Sequence, residues 1–240
     1  SGRWDEWLTL SQQAEEKAEA AKNFERAGRR AYQVGWVYYL RGQASEVLAC
    51  AARAEAHWKD AGAREKAVAI HLRGLGHKLE KNYPAAIEAY QEMLKLFRTR
   101  SPESDGVAMA LNDLAGVEQE AKNYDAAERD YREALRIAKK INDRLGVAIY
   151  TGNLAELALD REHWAEGEAL AREALELAEK VGKQESIARQ NFRIAKALAR
   201  QGRKAEGLPY AKRAMEIFEK LNYYEVEEAR GVLRECEEEK

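Results

Sequence analysis

The stretch "KNYPAAIEAYQEML" (Lys81 to Leu94) returns 41 residues later as "KNYDAAERDYREAL" (Lys122 to Leu135), with eight of fourteen letters in register. Such a recurrence marks an internal repeat, and a period of this size points to a stacked array of small structural units. The repeat extends outward from these two copies. Gly35, Gly74, Ala115, Ala155 and Ala195 follow one another at spacings of 39, 41, 40 and 40 residues. Ala54, Met93, Ala134, Ala174 and Ala214 keep the same spacings, and only Met93 departs from small residues.

Between the two series in each unit stands a helix stop: "RGQ" at 41, "KNY" at 81 and 122, "REHW" at 161 and "QGRK" at 201. Gly or Asn there is expected to take the left-handed conformation that ends a helix, with Asn82 and Asn123 closing the helix before them. Apolar residues at i, i+3, i+4 and i+7 predict helices over 4–22, 24–41, 44–60, 64–80, 84–98, 104–121, 125–140, 144–160, 164–180, 184–201, 205–220 and 223–238. Composition agrees. Only three prolines occur in 240 residues and 34% are charged, the usage of helical surfaces. Each unit is therefore a helix hairpin. One hairpin cannot bury both its apolar stripes, so the units must stack.

The segments "WVYYLRGQASEVLACAARA", "LGHKLEKNYPAAIEAYQEML", "LAGVEQEAKNYDAAERDYREAL", "LAELALDREHWAEGEALAREAL" and "IAKALARQGRKAEGLPYAKRAM" resemble the tetratricopeptide repeat family in its long, 40-residue form. The resemblance implies an all-α, right-handed superhelical αα solenoid of five to six hairpins. Its expected plan is one domain over 1–240, with a partial first repeat (1–23), repeats at 24–63, 64–103, 104–143, 144–183 and 184–222, and a capping helix at 223–240. Three departures stand out. Pro209 predicts a kink or late start in its helix. Gly167 and Gly207, where the family usually has Ala, suggest a looser junction. "RTRSPESDG" (Arg98 to Gly106) reads as the most mobile link.

The first helix, "RWDEWLTLSQQAEEKAEA", is similar to a second helix without its first. Trp4 and Trp7 are then expected to face an absent or substitute neighbour, as in a fragment of a longer protein, and to offer a surface for self-association. A 40-residue-period array is also similar to the sensor region of STAND-type signalling ATPases, although the chain holds no GxxxxGK[ST] loop.

Net charge is −2, from 40 basic and 42 acidic residues, so no general attraction to nucleic acid or anionic membrane arises. The longest apolar run, Val47 to Ala52, is far short of the ~20 residues that span a bilayer. Two separated cysteines and no basic-then-apolar leader predict a reducing, cytoplasmic setting. Four histidines without metal-ligand spacing, and carboxylates patterned with Lys and Arg along helices, predict neither metal, cofactor nor catalysis.

What remains is a surface. In the family the first helices line the concave side, which places Tyr32, Trp36, Tyr39, His71, Lys78, Asn112, Gln119, Asn153, Glu156, Arg189, Arg193, Lys196 and Arg200 there as candidate contacts. Asn112 and Asn153, with Asn191 as a weaker match, resemble the inner asparagines with which family members hold peptide backbones, since a carboxamide both donates and accepts. Such a groove has an aromatic end and a basic end. The same aromatics serve equally as core, and Arg189, Arg193 and Lys196 can instead pair with Glu225, Glu227 or Glu228. A protein or peptide ligand is the expected partner, with a sugar-like sensor of a transcription regulator or a self-associating module as alternatives.

Overall fold

The computed structural model describes residues 2–221 and 226–238, with only the backbone described at residues 2 and 3. Among them are twelve helices and no strand: α1 (Gly2–Ala20), α2 (Phe24–Leu40), α3 (Ala44–His57), α4 (Ala63–Leu79), α5 (Tyr83–Arg100), α6 (Asp105–Glu120), α7 (Tyr124–Lys140), α8 (Arg144–Asp160), α9 (Trp164–Val181), α10 (Gln184–Arg200), α11 (Lys204–Leu221) and α12 (Val226–Glu237). The predicted ends of most of these lie within two residues of the observed ones. Two compact units result, 1–122 and 123–240. Each is a tetratricopeptide-like helical solenoid in which successive helices pack as antiparallel neighbours.

Both small-residue series are buried. Ala54, Ala115, Ala134, Ala155, Ala174, Ala195 and Ala214 have no accessible surface, and neither has Met93. Gly35 and Gly74 go further. A Cβ on Gly74 would lie 2.6 Å from the Tyr90 ring, and one on Gly35 2.5 Å from Leu72, so any larger residue would force these helices apart. Gly167 follows the same logic: its missing Cβ makes room for Leu159 at 2.4 Å. The looser junction expected there is corrected to a close approach.

The turns also correct the sequence reading. At 81–82 the left-handed residue is Lys81 (φ 58°), while Asn82 begins the next helix, its side chain accepting from the Ala85 N–H. The preceding helix is closed by backbone: Asn82 N–H reaches His77 O at 2.9 Å and Lys81 N–H reaches Lys78 O at 2.9 Å. This paired closure is a Schellman turn. It recurs at Gly42, Asn142, Glu162 and Gly202. Lys122 likewise is left-handed (φ 63°) and Asn123 sits at the N-cap of α7. Helix α11 starts at Lys204, ahead of Pro209, so the predicted late start does not occur. Most of "RTRSPESDG" is helix. α5 runs to Arg100, and Ser104 caps α6 by accepting from the Val107 N–H.

At the start of unit 1, α1 is fixed to its neighbours by Asp5 with Arg41 (2.8 Å) and by Glu15 with Arg53 (2.9 Å) and His57 (3.2 Å). Trp7 packs on the cluster of Leu8, Val34, Val37 and Val47 rather than facing an absent neighbour. Trp4 remains 53% exposed. At the other end α12 lies against α10 and α11, burying Ala229, Val232 and Cys236. Glu225 lies outside the described residues.

Candidate functional site

In unit 1 the first helices are α2, α4 and α6. From α2, Trp36 is 38% exposed, with the Tyr39 ring centroid 5.3 Å away and the His71 ring of α4 nearly parallel at 6.4 Å. His71 also lies 6.1 Å from the Tyr90 ring. An exposed indole held by two flanking rings has lost its conformational freedom before any partner arrives. Tyr32 and Tyr39 are half-buried and pack on the core of α2 and α3, so they serve packing and surface together.

Helix α6 supplies Asp113, a residue that the sequence reading missed. Its Oδ1 accepts from Asn112 Nδ2 at 3.3 Å. Its Oδ2 lies 3.3 Å from His71 Nε2 and is buried without a well-directed hydrogen bond. Among the described residues no Lys or Arg pairs with it. Its charge is felt nearby: burial, then Asp113, pushes the Tyr32 hydroxyl up, and the Tyr90 hydroxyl goes well up by burial first and then by Asp113. Lys78 pairs with Glu120 at 2.9 Å. Burial alone would lower the Lys78 pKa, but the bond to Glu120 carries it above its ordinary value. Gln119 is half-buried on the same helix.

In unit 2 the corresponding helices are α8 and α10, with α12 beside α10. Arg193, 7% exposed, binds Glu156 of α8 through Nε and Gln190 through Nη1 at 3.2 Å. Burial would raise the Glu156 pKa, yet Arg193 above all, with Lys196 and Arg189, holds it below the ordinary range. Lys196 reaches Glu228 (3.4 Å), Arg200 reaches Glu235 and Arg189 reaches Glu185 (both 3.5 Å). Each predicted basic residue thus has an acidic partner within its own unit. Asn191 is buried and donates to Ile187 O of its own helix at 2.8 Å, a packing role. Asn153 is half-buried beside Gly152, whose missing Cβ admits Gln190.

A separate cavity of about 860 Å³ opens at the α3–α4 turn of unit 1, walled by Phe24, His57 and Trp58 and rimmed by Glu19, Glu25 and Glu65. Trp36 does not line it. Among the described residues no group of three His, Cys, Asp or Glu is placed to hold a metal. Nor is any helix there long and apolar enough to cross a membrane.

Residues 65–140 match the family model of the tetratricopeptide repeat. The fold is that of tetratricopeptide-like helical repeats. Among solved structures, BtubC (BKLC) from P. vanneervenii is similar at TM-score 0.77 and 16% identity, covering 92% of this chain and 93% of that one. A putative kinesin light chain of nearly identical repeats from Podosopora anserina is similar at TM-score 0.63 and 15% identity, over 80% of this chain and 95% of that one. A Rap protein complexed with Competence and Sporulation Factor gives TM-score 0.68 and 15% identity, over 96% and 68%. No curated protein sequence matches significantly. At these identities the likeness is one of fold.

Proposed function

We propose that this chain is a non-catalytic recognition domain that takes a protein or peptide segment on the face of its first helices. The observation that carries this reading is Trp36, exposed yet fixed between Tyr39 and His71 on the α2–α4 face. Rigid aromatics at a surface are the usual anchors of protein contacts, because they bring large area at little cost in conformational entropy. The Rap protein of the same fold, solved with Competence and Sporulation Factor, supports a binding role for this architecture. Asn112, in the same unit, extends the face as a donor and acceptor for a peptide backbone. The finer reading places the domain as the ligand-sensing part of a larger cytoplasmic signalling protein of the STAND type, on the strength of the 40-residue period.

A panel of immobilised peptides probed with the whole chain tests the reading, the best binder being measured by fluorescence anisotropy. Trp36→Ala is expected to weaken that peptide about tenfold or more, the cost of losing one aromatic anchor. Asn112→Ala should weaken it several-fold, with helicity by circular dichroism unchanged in both variants. Undiminished binding by Trp36→Ala would remove this face from the function.

A further inference from the structure

The neighbourhood of Asp113 specifies more than an aromatic surface. A half-buried carboxylate is costly unless a cation or several hydrogen bonds compensate it. Here the acceptor Oδ1 has Asn112, Oδ2 has no well-directed donor, and no Lys or Arg among the described residues pairs with the group. Lys78 is bonded to Glu120, and its charge also reaches Asp113. Asp113, Glu120 and Lys78 together sum to one net negative charge. Next to it stand the rings of Tyr32, His71 and Tyr90, and Trp36 lies against the other side of this cluster beside His71, its π face able to attract a cation.

Taking the recognition face as given, we infer that Asp113 and Trp36 select a cationic side chain of the partner segment, with arginine preferred over lysine. The guanidinium suits this place on two counts. It is planar and weakly hydrated, so it stacks on an indole as an ammonium does not, and its N–H donors suit a carboxylate whose side chain keeps 23% of its surface exposed. In the free chain, by this reading, Asp113 is a half-buried carboxylate that faces His71, while the nearby Lys78 is bonded to Glu120 instead. The partner supplies a direct ion pair.

The probes are N-acetylated tripeptide amides Gly-Arg-Gly, Gly-Lys-Gly, Gly-citrulline-Gly and Gly-Glu-Gly. Citrulline keeps the shape of arginine and removes the charge. Each is titrated at pH 7.5 into the ¹⁵N-labelled whole chain while the indole N–H signal of Trp36, assigned through Trp36→Phe, is followed. The arginine peptide should shift that signal and bind about tenfold more tightly than citrulline, the size expected for one charge-assisted hydrogen bond. Lysine should fall between them. In Asp113→Asn, an isosteric change, arginine and citrulline should bind equally, with the signal itself still in place. Equal binding of the two by the native chain, tighter binding of the glutamate peptide, or an arginine preference that survives Asp113→Asn would overturn the inference. The outcomes also separate the two proposals. If a library peptide lacking cations binds through Trp36, the recognition face stands and the arginine preference falls. If the arginine tripeptide binds while no longer peptide does, the preference stands and the peptide-recognition reading fails.

Discussion

Units 1 and 2 are built on the same repeat, yet they treat charge on their first helices in opposite ways. Asp113, Asn153 and Arg193 lie 40 residues apart, at one register position of successive repeats. In unit 2 that position carries Asn153 and then Arg193, which is buried and bound to Glu156 and Gln190. In unit 1 it carries Asp113, partnered by Asn112 and His71 but by no Lys or Arg among the described residues. One repeat position thus carries a closed polar network in one unit and a carboxylate without a direct Lys or Arg pair in the other. A network complete within the chain stabilises the fold and leaves little for a ligand to gain. An unfinished one costs stability and rewards a partner.

The comparison breaks most visibly at Arg193. Arg193→Met removes the main cation facing Glu156, and truncating one side of a mostly buried pair costs about 3 kcal/mol. Urea unfolding should show that loss, and Arg193→Met combined with Glu156→Leu should recover most of it. The pH dependence gives a second readout. Glu156 has a folded pKa below its ordinary 4.5, so its contribution to stability is present above that value and fades as the pH falls through the folded one. Glu156→Gln should therefore flatten the acid side of the stability curve. An unchanged acid limb would mean that the pair contributes nothing.

Next in size is a change that ignores charge. Ala134 in α7 has no accessible surface and belongs to the small-residue series that sets the spacing between neighbouring helices. Ala134→Leu should overpack that contact and cost about 2 kcal/mol, read as a lower Tm with helicity retained. An unaltered Tm would show that the repeat tolerates bulk there and that the 40-residue register is not a packing constraint.

Much of this architecture is legible in the letters alone, because periodic small residues have one physical use, close helix approach, and stop signals at fixed spacing have another. α8 is found at 144–160 as its apolar pattern predicts. The turn at 81–82 shows where such reading ends. Period locates the turn, but whether Lys81 or Asn82 adopts the left-handed conformation depends on which N–H groups close on His77 and Lys78. The surface was half legible. Trp36, Tyr39, His71 and Lys78 fall on one face as the helical spacing requires. Asp113 does not stand out among the letters beside Asn112, since nothing in the sequence says which carboxylate will lack a direct ion pair. Likewise the basic residues of α10 look available as letters. Only their distances to Glu156, Glu228 and Glu235 show them engaged.

The smallest effect is the most discriminating. Asp113→Asn keeps the shape and the Asn112 neighbour while deleting a charge that makes no direct ion pair with a Lys or Arg among the described residues. Native burial of that charge carries a desolvation cost, so its removal should leave stability within about 0.5 kcal/mol of the parent or raise it slightly. Urea unfolding of this variant beside Arg193→Met makes the test internal: two substitutions at one register position of the same repeat, one costly and one neutral. A loss as large as that of Arg193→Met would show that Asp113 is already satisfied by His71 and Asn112. The asymmetry between the units would then be one of residue identity and not of vacancy. Neutrality in stability together with a loss of arginine binding would instead assign Asp113 to the ligand, since only a group held for a partner can be spared by the fold and missed by the complex.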